Sequence, residues 1–392
     1  MEKIVYVDHS ATTFVKKEVL EKMLPYFCEF YGNPSSLYSV GRKSKDAIEK
    51  ARNQVAKAIG AKENEIYFTG GGSESDNMII KGIARANKNK GNHIITTKIE
   101  HLAVLNTLKE LEKEGFIVTY LDVNESGILS INELKRNITA DTILITVMFA
   151  NNEIGTIEPI DEIGKIAKET GIIFHTDAVQ AVGNLKIDVK ALNIDALSLS
   201  AHKFYGPKGI GAAYIKEGIK FLPFINGGHQ ECSKRAGTEN VAGIVGLGEA
   251  IELATENLSK HTEKMVDLRD TLISSIEREI PDVKLNGDRF QRLCTNVNFS
   301  VKGVDSQSLV LMFDMQGICA SSGSACNSGI LAPSHVLTAI GLDKDMATSS
   351  IRFTLGEENT MEDVTYITNT LKSIVEKLRK NKKRDNIECE CS

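Results

Sequence analysis

No stretch of this 392-residue sequence approaches the roughly 20 consecutive apolar residues that a membrane helix needs. The start, Met1 to Asp8, lacks a cationic lead followed by an apolar block, so no secretory signal is expected. Charge of a single sign is lacking too: 47 Lys and Arg stand against 52 Asp and Glu, for a net charge of −5. With both signs interspersed, no nucleic-acid or polyanion surface is expected. Basic residues gather only near the end, from Lys377 to Arg384, and read as a solvated helix end. Seven cysteines, an odd number, are scattered as Cys28, Cys232, Cys294, Cys319, Cys326, Cys389 and Cys391. That spacing makes no disulfide framework, points to a reducing cytoplasm and leaves at least one thiol for chemistry. Neither GxxxxGK[ST] nor GxGxxG occurs, which weakens the nucleotide-binding classes. Internal repeats and low-complexity segments are missing as well.

What is present is an ordinary globular composition, 42% hydrophobic and 25% charged, at a length that favours two domains. Short apolar runs alternate with amphipathic stretches through most of the first 260 residues. Strands are expected at Glu65–Thr69, His93–Thr97, Ile117–Tyr120, Ile143–Phe149, Ile172–His175, Ala196–Ser200 and Ala212–Ile215, with helices such as Ser75–Ala86 and Val104–Glu114 between them. Such alternation predicts an α/β fold around a mainly parallel, seven-stranded sheet. The pattern changes near residue 250. A long helix carrying Leu258, Met265, Leu268, Leu272 and Ile276 reads as a bridge, followed by strands at Val297–Val301 and Ile351–Thr354. The last helix opens at Thr360 with Asp363 in capping-box spacing, and the polar tail 385–392 is expected to lack order.

Polar residues collect where the expected strands end. The run Phe68-Thr69-Gly70-Gly71-Gly72-Ser73 leads from a strand through three glycines into a helix, and so offers backbone N–H groups to one phosphate. A plain tight turn fits it equally. Asp177 falls at the carboxyl end of an apolar strand, where open α/β sheets bind ligands. It could pair with a protonated heteroaromatic nitrogen or simply cap a helix. Ser200, His202 and Lys203 close the next strand. A lysine there is costly unless paired, neutral or covalently bound, and a surface lysine is the alternative. Glu100-His101 and Asn151-Asn152-Glu153 end two more strands, so five polar strand ends would share one cleft. Cys326 lies among small residues in Ser321-Ser322-Gly323-Ser324-Ala325-Cys326, which suggests a loop rather than a core position.

These segments resemble cysteine desulfurases of the NifS/IscS-type group, within the class V aminotransferase-like proteins. The resemblance rests on Ser200-Ala201-His202-Lys203, Thr176-Asp177-Ala178-Val179-Gln180, Glu100-His101, Asn151-Asn152-Glu153-Ile154-Gly155, Arg235-Ala236-Gly237-Thr238-Glu239-Asn240 and the Cys326 segment. It runs from about Tyr6 to Gly356. It implies a fold-type-I pyridoxal-phosphate transferase: a large cofactor-binding domain over 14–258, and a smaller α+β domain from 1–13 and 259–392 that carries a cysteine loop at about 319–332. Lys203 would anchor pyridoxal 5'-phosphate, Asp177 pair with its ring nitrogen, Gln180 bond its ring oxygen, and His101 stack on it and move protons. Ser73, Ser200 and His202 would hold the phosphate, with Thr238 reaching in from the partner of a homodimer. Asn152 and Arg352 would bind the substrate carboxylate, and Cys326 would take the sulfur of L-cysteine as a persulfide. No metal is implied. The acceptor would be an iron–sulfur scaffold protein or another thio-cofactor pathway. His9, Phe14 and Gly72-Ser73 depart from the common pattern without removing a catalytic group. An aminotransferase, a selenocysteine lyase or a non-catalytic sulfur carrier are the competing readings.

Overall fold

The computed structural model describes residues 4–322 and 333–390, with side chains up to residue 382. Twelve strands are present: β1 (Val5–Tyr6), β2 (Ile66–Thr69), β3 (His93–Thr97), β4 (Ile117–Leu121), β5 (Thr142–Thr146), β6 (Ile173–Asp177), β7 (Ala196–Ser200), β8 (Gly211–Ile215), β9 (Val283–Leu285), β10 (Asn296–Val301), β11 (Ile318–Cys319) and β12 (Ser350–Thr354). Seven of them form one sheet in the order β2-β8-β7-β6-β5-β3-β4. Only β8 runs against its neighbours; the other pairings are parallel. Strands β3, β5, β7 and β8 are buried at every residue, as expected when helices cover both faces of a sheet.

The sheet's two faces pack into separate apolar clusters. Phe174, Leu197, Leu199, Ile145 and Val147 sit in one, with Ile48, Val55 and Ile59 of the helix Ser39–Ile59 and Leu247 and Ile251 of the helix Val241–Glu256. Ile94, Leu144, Ala196, Ala213 and Ile215 join Met78, Ile79, Ile83, Val104 and Leu108 in the other. A third cluster is built on the antiparallel sheet β12-β10-β9, through Val297, Phe299, Ile351 and Phe353. The helix Leu258–Glu279 adds Met265, Leu268, Leu272 and Ile276 to it, and the last helix adds Val364, Ile367, Leu371 and Ile374. Strand β1 joins this part of the molecule by pairing with β11.

Two sequence expectations are corrected. The Ile143–Phe149 run leaves the regular ladder after Thr146, although Val147 and Phe149 still donate to the carbonyls of His175 and Asp177, at 3.2 and 2.8 Å. The last helix does not stop before residue 385; its backbone runs from Met361 to Glu390, a stretch without glycine or proline to break it. Its start has the expected box: Asp363 N–H donates to Thr360 Oγ1 at 3.3 Å and Thr360 N–H to Asp363 Oδ2 at 3.0 Å. Among the described residues no helix is long and apolar enough to cross a membrane.

Candidate active site

A cavity of about 330 Å3 opens at the carboxyl ends of the parallel strands. It gathers Ser73 from beyond β2, His101 from beyond β3, Asn152 from beyond β5, Asp177 from β6, and Ser200, His202 and Lys203 from β7 and the turn after it. Gln180 and Arg352 complete it. Nine of the expected site residues therefore share one enclosure. Thr238 does not line it; it is exposed on the stretch before the helix Val241–Glu256. Cys326 lies outside the described residues.

At one end, the glycine turn meets the start of the helix Gly72–Ala86. Gly71 has φ +149°, which glycine adopts without strain, and a Cβ on Gly72 would come within 2.7 Å of Val179. Both β2 and β7 finish against Gly211, which pairs with Thr69 on one side and Ser200 on the other. A side chain on Gly211 would stand 2.6 Å from the Leu199 carbonyl and 2.8 Å from Gly71 Cα, so its bare backbone lets the turn and Ser200 close up. A second hollow here is lined by Thr12, Gly70–Glu74, Ser200, His202 and Lys208. Glu74 is already engaged, accepting from Arg235 Nε at 2.8 Å and Gly70 N–H at 2.9 Å. Hydroxyls, a helix N-terminus, an imidazole and an ammonium form a donor set that fits a phosphate dianion.

The other end is acidic and dry. Asp177 is buried, and its Oδ1 accepts from Val179 N–H at 2.9 Å. Burial pushes its carboxyl up, while His101, the Val179 N–H and Lys203 pull it back. Asp76, the fifth residue of the helix Gly72–Ala86, also lines the cavity. Polar atoms of Asp76, His101 and Asp177 lie within 4.8 Å of one another. Burial first, and then the Asp177 charge, hold Asp76 well above the usual carboxyl range; the Ser198 hydroxyl works against them. Its Oδ1 has no hydrogen-bond partner among the described residues, and the nearby His175, at 3.7 Å, is held down at about 3 by burial. Lys203 lowers Asp177 and no cation lowers Asp76, so of the two raised carboxyls Asp177 is the one favoured to carry charge. Beneath them Glu100 is wholly buried and pushed up to about 8, bonded to Thr97 Oγ1 at 2.6 Å and Met148 N–H at 3.1 Å. A buried anion facing an enclosure whose other end suits phosphate fits a protonated ring nitrogen, and the site as a whole fits pyridoxal 5'-phosphate.

His101 caps the helix Leu102–Lys113, its Nδ1 accepting from Ala103 N–H at 3.1 Å. That leaves the ring proton on Nε2, and burial keeps the imidazole neutral, with Asp177 raising and Lys203 lowering its affinity for a second proton. His202 is lowered to about 4 by burial and by Lys203 and Lys208, and its Nδ1 lies 3.1 Å from Thr12 Oγ1. Lys203 Nζ donates to the carbonyls of Ser10 and Ala11, the latter at 3.0 Å. Gln180 Nε2 donates to Ser10 O at 3.1 Å. On β12, Arg352 donates through Nη1 to Asn152 O at 3.0 Å and through Nη2 to Asp8 Oδ1 at 2.8 Å. Sequence reasoning missed Asp76 and Asp8. Asp76 reads there as an ordinary polar residue near a helix start, and the only available signal was its place one turn after the glycines.

Residues 5–367 match the family described as aminotransferase class-V, a family of pyridoxal-phosphate enzymes. Cysteine desulfurase IscS of Clostridium botulinum (strain Hall) is 60% identical over 381 residues, which cover 97% of this chain and 96% of that protein. Cysteine desulfurase IscS of Methanosarcina thermophila is 57% identical over 377 residues, 96% of this chain and 93% of that one. Among solved structures, a NifS-like protein superposes with a TM-score of 0.90 at 37% identity, covering 95% of this chain and all 100% of its own. Another, described as SspA in complex with cysteine, gives 0.80 at 41% identity over 90% of this chain and 98% of its own. Such likeness along nearly the whole length, with the motif residues gathered round one cavity, leaves a single conclusion: the chain belongs to the aminotransferase class-V family, in its cysteine desulfurase group.

Proposed function

We propose that this chain is a pyridoxal-phosphate-dependent cysteine desulfurase that converts L-cysteine to L-alanine and passes the sulfur to Cys326. The observation that carries this reading is the convergence of Lys203, Asp177, His101 and Arg352 on one cavity. An amine, a buried carboxyl, a neutral imidazole and a guanidinium are the groups that chemistry on a free amino acid requires. Bound there, pyridoxal 5'-phosphate supplies an aldehyde for an amine and an electron sink for bond breaking next to it.

The chain's own residues do the rest. Lys203 anchors the coenzyme, and its amine carries the proton at the substrate Cα. Asp177 would pair with the ring nitrogen of the bound coenzyme and Gln180 would bond its ring oxygen. Ser73, Ser200 and His202 receive the phosphate, joined by Thr238 of a second copy in a homodimer. Arg352 and Asn152 fix the substrate carboxylate, a task suited to a planar fork of donors. His101, neutral with its proton on Nε2, gives up that proton and recovers one from the thiol at the same nitrogen, since Nδ1 is engaged by the Ala103 N–H. Cys326 attacks as a thiolate: its sulfur bonds to the substrate sulfur while the substrate C–S bond breaks. L-cysteine and the Cys326 thiol thus become L-alanine and a Cys326 persulfide, with atoms and electrons balanced.

Residues 14–258 form the coenzyme-binding unit in this reading, and 1–13 with 259–392 form the unit bearing Cys326. The persulfide serves a sulfur acceptor such as an iron–sulfur scaffold, in the cytoplasm. Incubation with L-cysteine tests the proposal. It should release alanine and add one sulfur mass to Cys326, with Cys326→Ala abolishing sulfur transfer and Lys203→Ala abolishing the visible imine absorbance. Transamination that survives unchanged in Cys326→Ala, without sulfur transfer in the parent, would reject it.

A further inference from the structure

We infer that Asp8, which does not line the cavity, is the positioning residue for the substrate carboxylate, acting by holding the Arg352 guanidinium through Nη2. The inference rests on the reading of Arg352 as the carboxylate-binding residue. Arg352 is only 3% exposed, and a guanidinium so buried needs an anion to offset its lost hydration. Asp8 Oδ1 supplies it at 2.8 Å.

The arrangement leaves room for a second carboxylate. A guanidinium carries five N–H donors; one engages Asp8, another the Asn152 carbonyl, and Nε has no partner among the described residues. A substrate carboxylate can therefore use remaining donors without displacing Asp8.

Asp8 is itself fixed in place. It bridges to Thr354 on β12, two residues beyond Arg352, and its carbonyl accepts from Ala11 N–H at 2.9 Å and the Tyr6 hydroxyl at 3.2 Å. The turn it opens also holds Lys203 through the carbonyls of Ser10 and Ala11, Gln180 through Ser10 O, and His202 through Thr12 Oγ1. One turn thus sets the coenzyme lysine and the substrate arginine relative to each other. Asp8 is its contact to the arginine.

Steady-state kinetics on the coenzyme-loaded enzyme test this. Asp8→Ala should raise KM for L-cysteine about tenfold with kcat within about twofold, the pattern of lost binding common to ground and transition states. Asp8→Asn keeps an acceptor oxygen and should recover most of the KM, which a merely structural defect would not allow. Arg352→Ala should raise KM further, and adding Asp8→Ala to it should change nothing more, because the two act as one unit. A lower KM in Asp8→Ala would make Asp8 a competitor of the substrate and overturn the inference, as would independent, additive effects. If Arg352→Ala raises KM and Asp8→Ala leaves it unchanged, only the role of Asp8 fails. An unchanged KM in Arg352→Ala would instead sink the carboxylate-site reading, and the inference with it.

Discussion

The two ends of the cavity solve opposite problems by different means. The end at Gly70–Ser73 is open and furnished with donors: a helix start, two serine hydroxyls, His202 and Lys208. The far end is closed and furnished with acids: Asp177, Asp76 and, beneath them, Glu100. An anion can be held by many neutral donors, each contributing little and each replaceable. A cationic ring must be met by a charge already in place, and keeping that charge out of water requires neighbouring acids to stay protonated. Loss at the acidic end should therefore be severe, and loss at the donor end graded.

The strongest way to break this contrast is Asp177→Ala. Removing one partner of a buried charge pair costs about 3–5 kcal/mol. Affinity of the apoprotein for pyridoxal phosphate, followed by absorbance, should accordingly fall by at least about a hundredfold. A comparable loss in Ser73→Ala would erase the distinction between the ends.

Next comes the pH dependence of stability. The Glu100 carboxyl is raised from 4.5 to about 8 in the folded chain. Between those values the native state keeps a proton that the unfolded state has released, so stability falls as pH rises through the window. Glu100→Gln should remove that fall, gaining on the parent by on the order of a few kcal/mol at pH 8 relative to pH 5 in denaturant melts. Parallel curves for the two proteins would refute the assignment of a neutral Glu100.

A smaller effect is expected of Gly211→Ala. The added methyl would crowd the Leu199 carbonyl and Gly71 Cα, destabilising by about 1–3 kcal/mol and loosening the donor end. Thermal melts together with coenzyme affinity would register both. Ser200→Ala should do least, weakening coenzyme affinity about tenfold, the low end of what one hydrogen bond to a charged group contributes.

The difference between the ends also governs what could be read without coordinates. Seven apolar runs became the seven strands of the main sheet, because buried parallel strands show as unbroken hydrophobic segments. Asp177 and Lys203 stood out since each interrupts such a run at its carboxyl end. Asp76 left no comparable mark: on a helix start an acidic residue is unremarkable, and only packing against β6 and β7 makes it part of a carboxyl pair. Asp8 and Arg352 are separated by nearly the whole chain and meet through the bridge from Asp8 to Thr354. No local pattern encodes that contact, and resemblance alone brought Arg352 into view.

Gly211 has a consequence for redesign. Strand β8, running against its neighbours, spaces the glycine turn from Ser200, and this one residue without a side chain sets the gauge. An effort to admit a bulkier or differently charged coenzyme analogue would naturally begin with the serines and histidine that face it. The width of the slot, however, is fixed from behind by a strand that offers the ligand no functional group. Engineering that leaves β8 untouched should alter how tightly a phosphate is gripped far more readily than which group can enter.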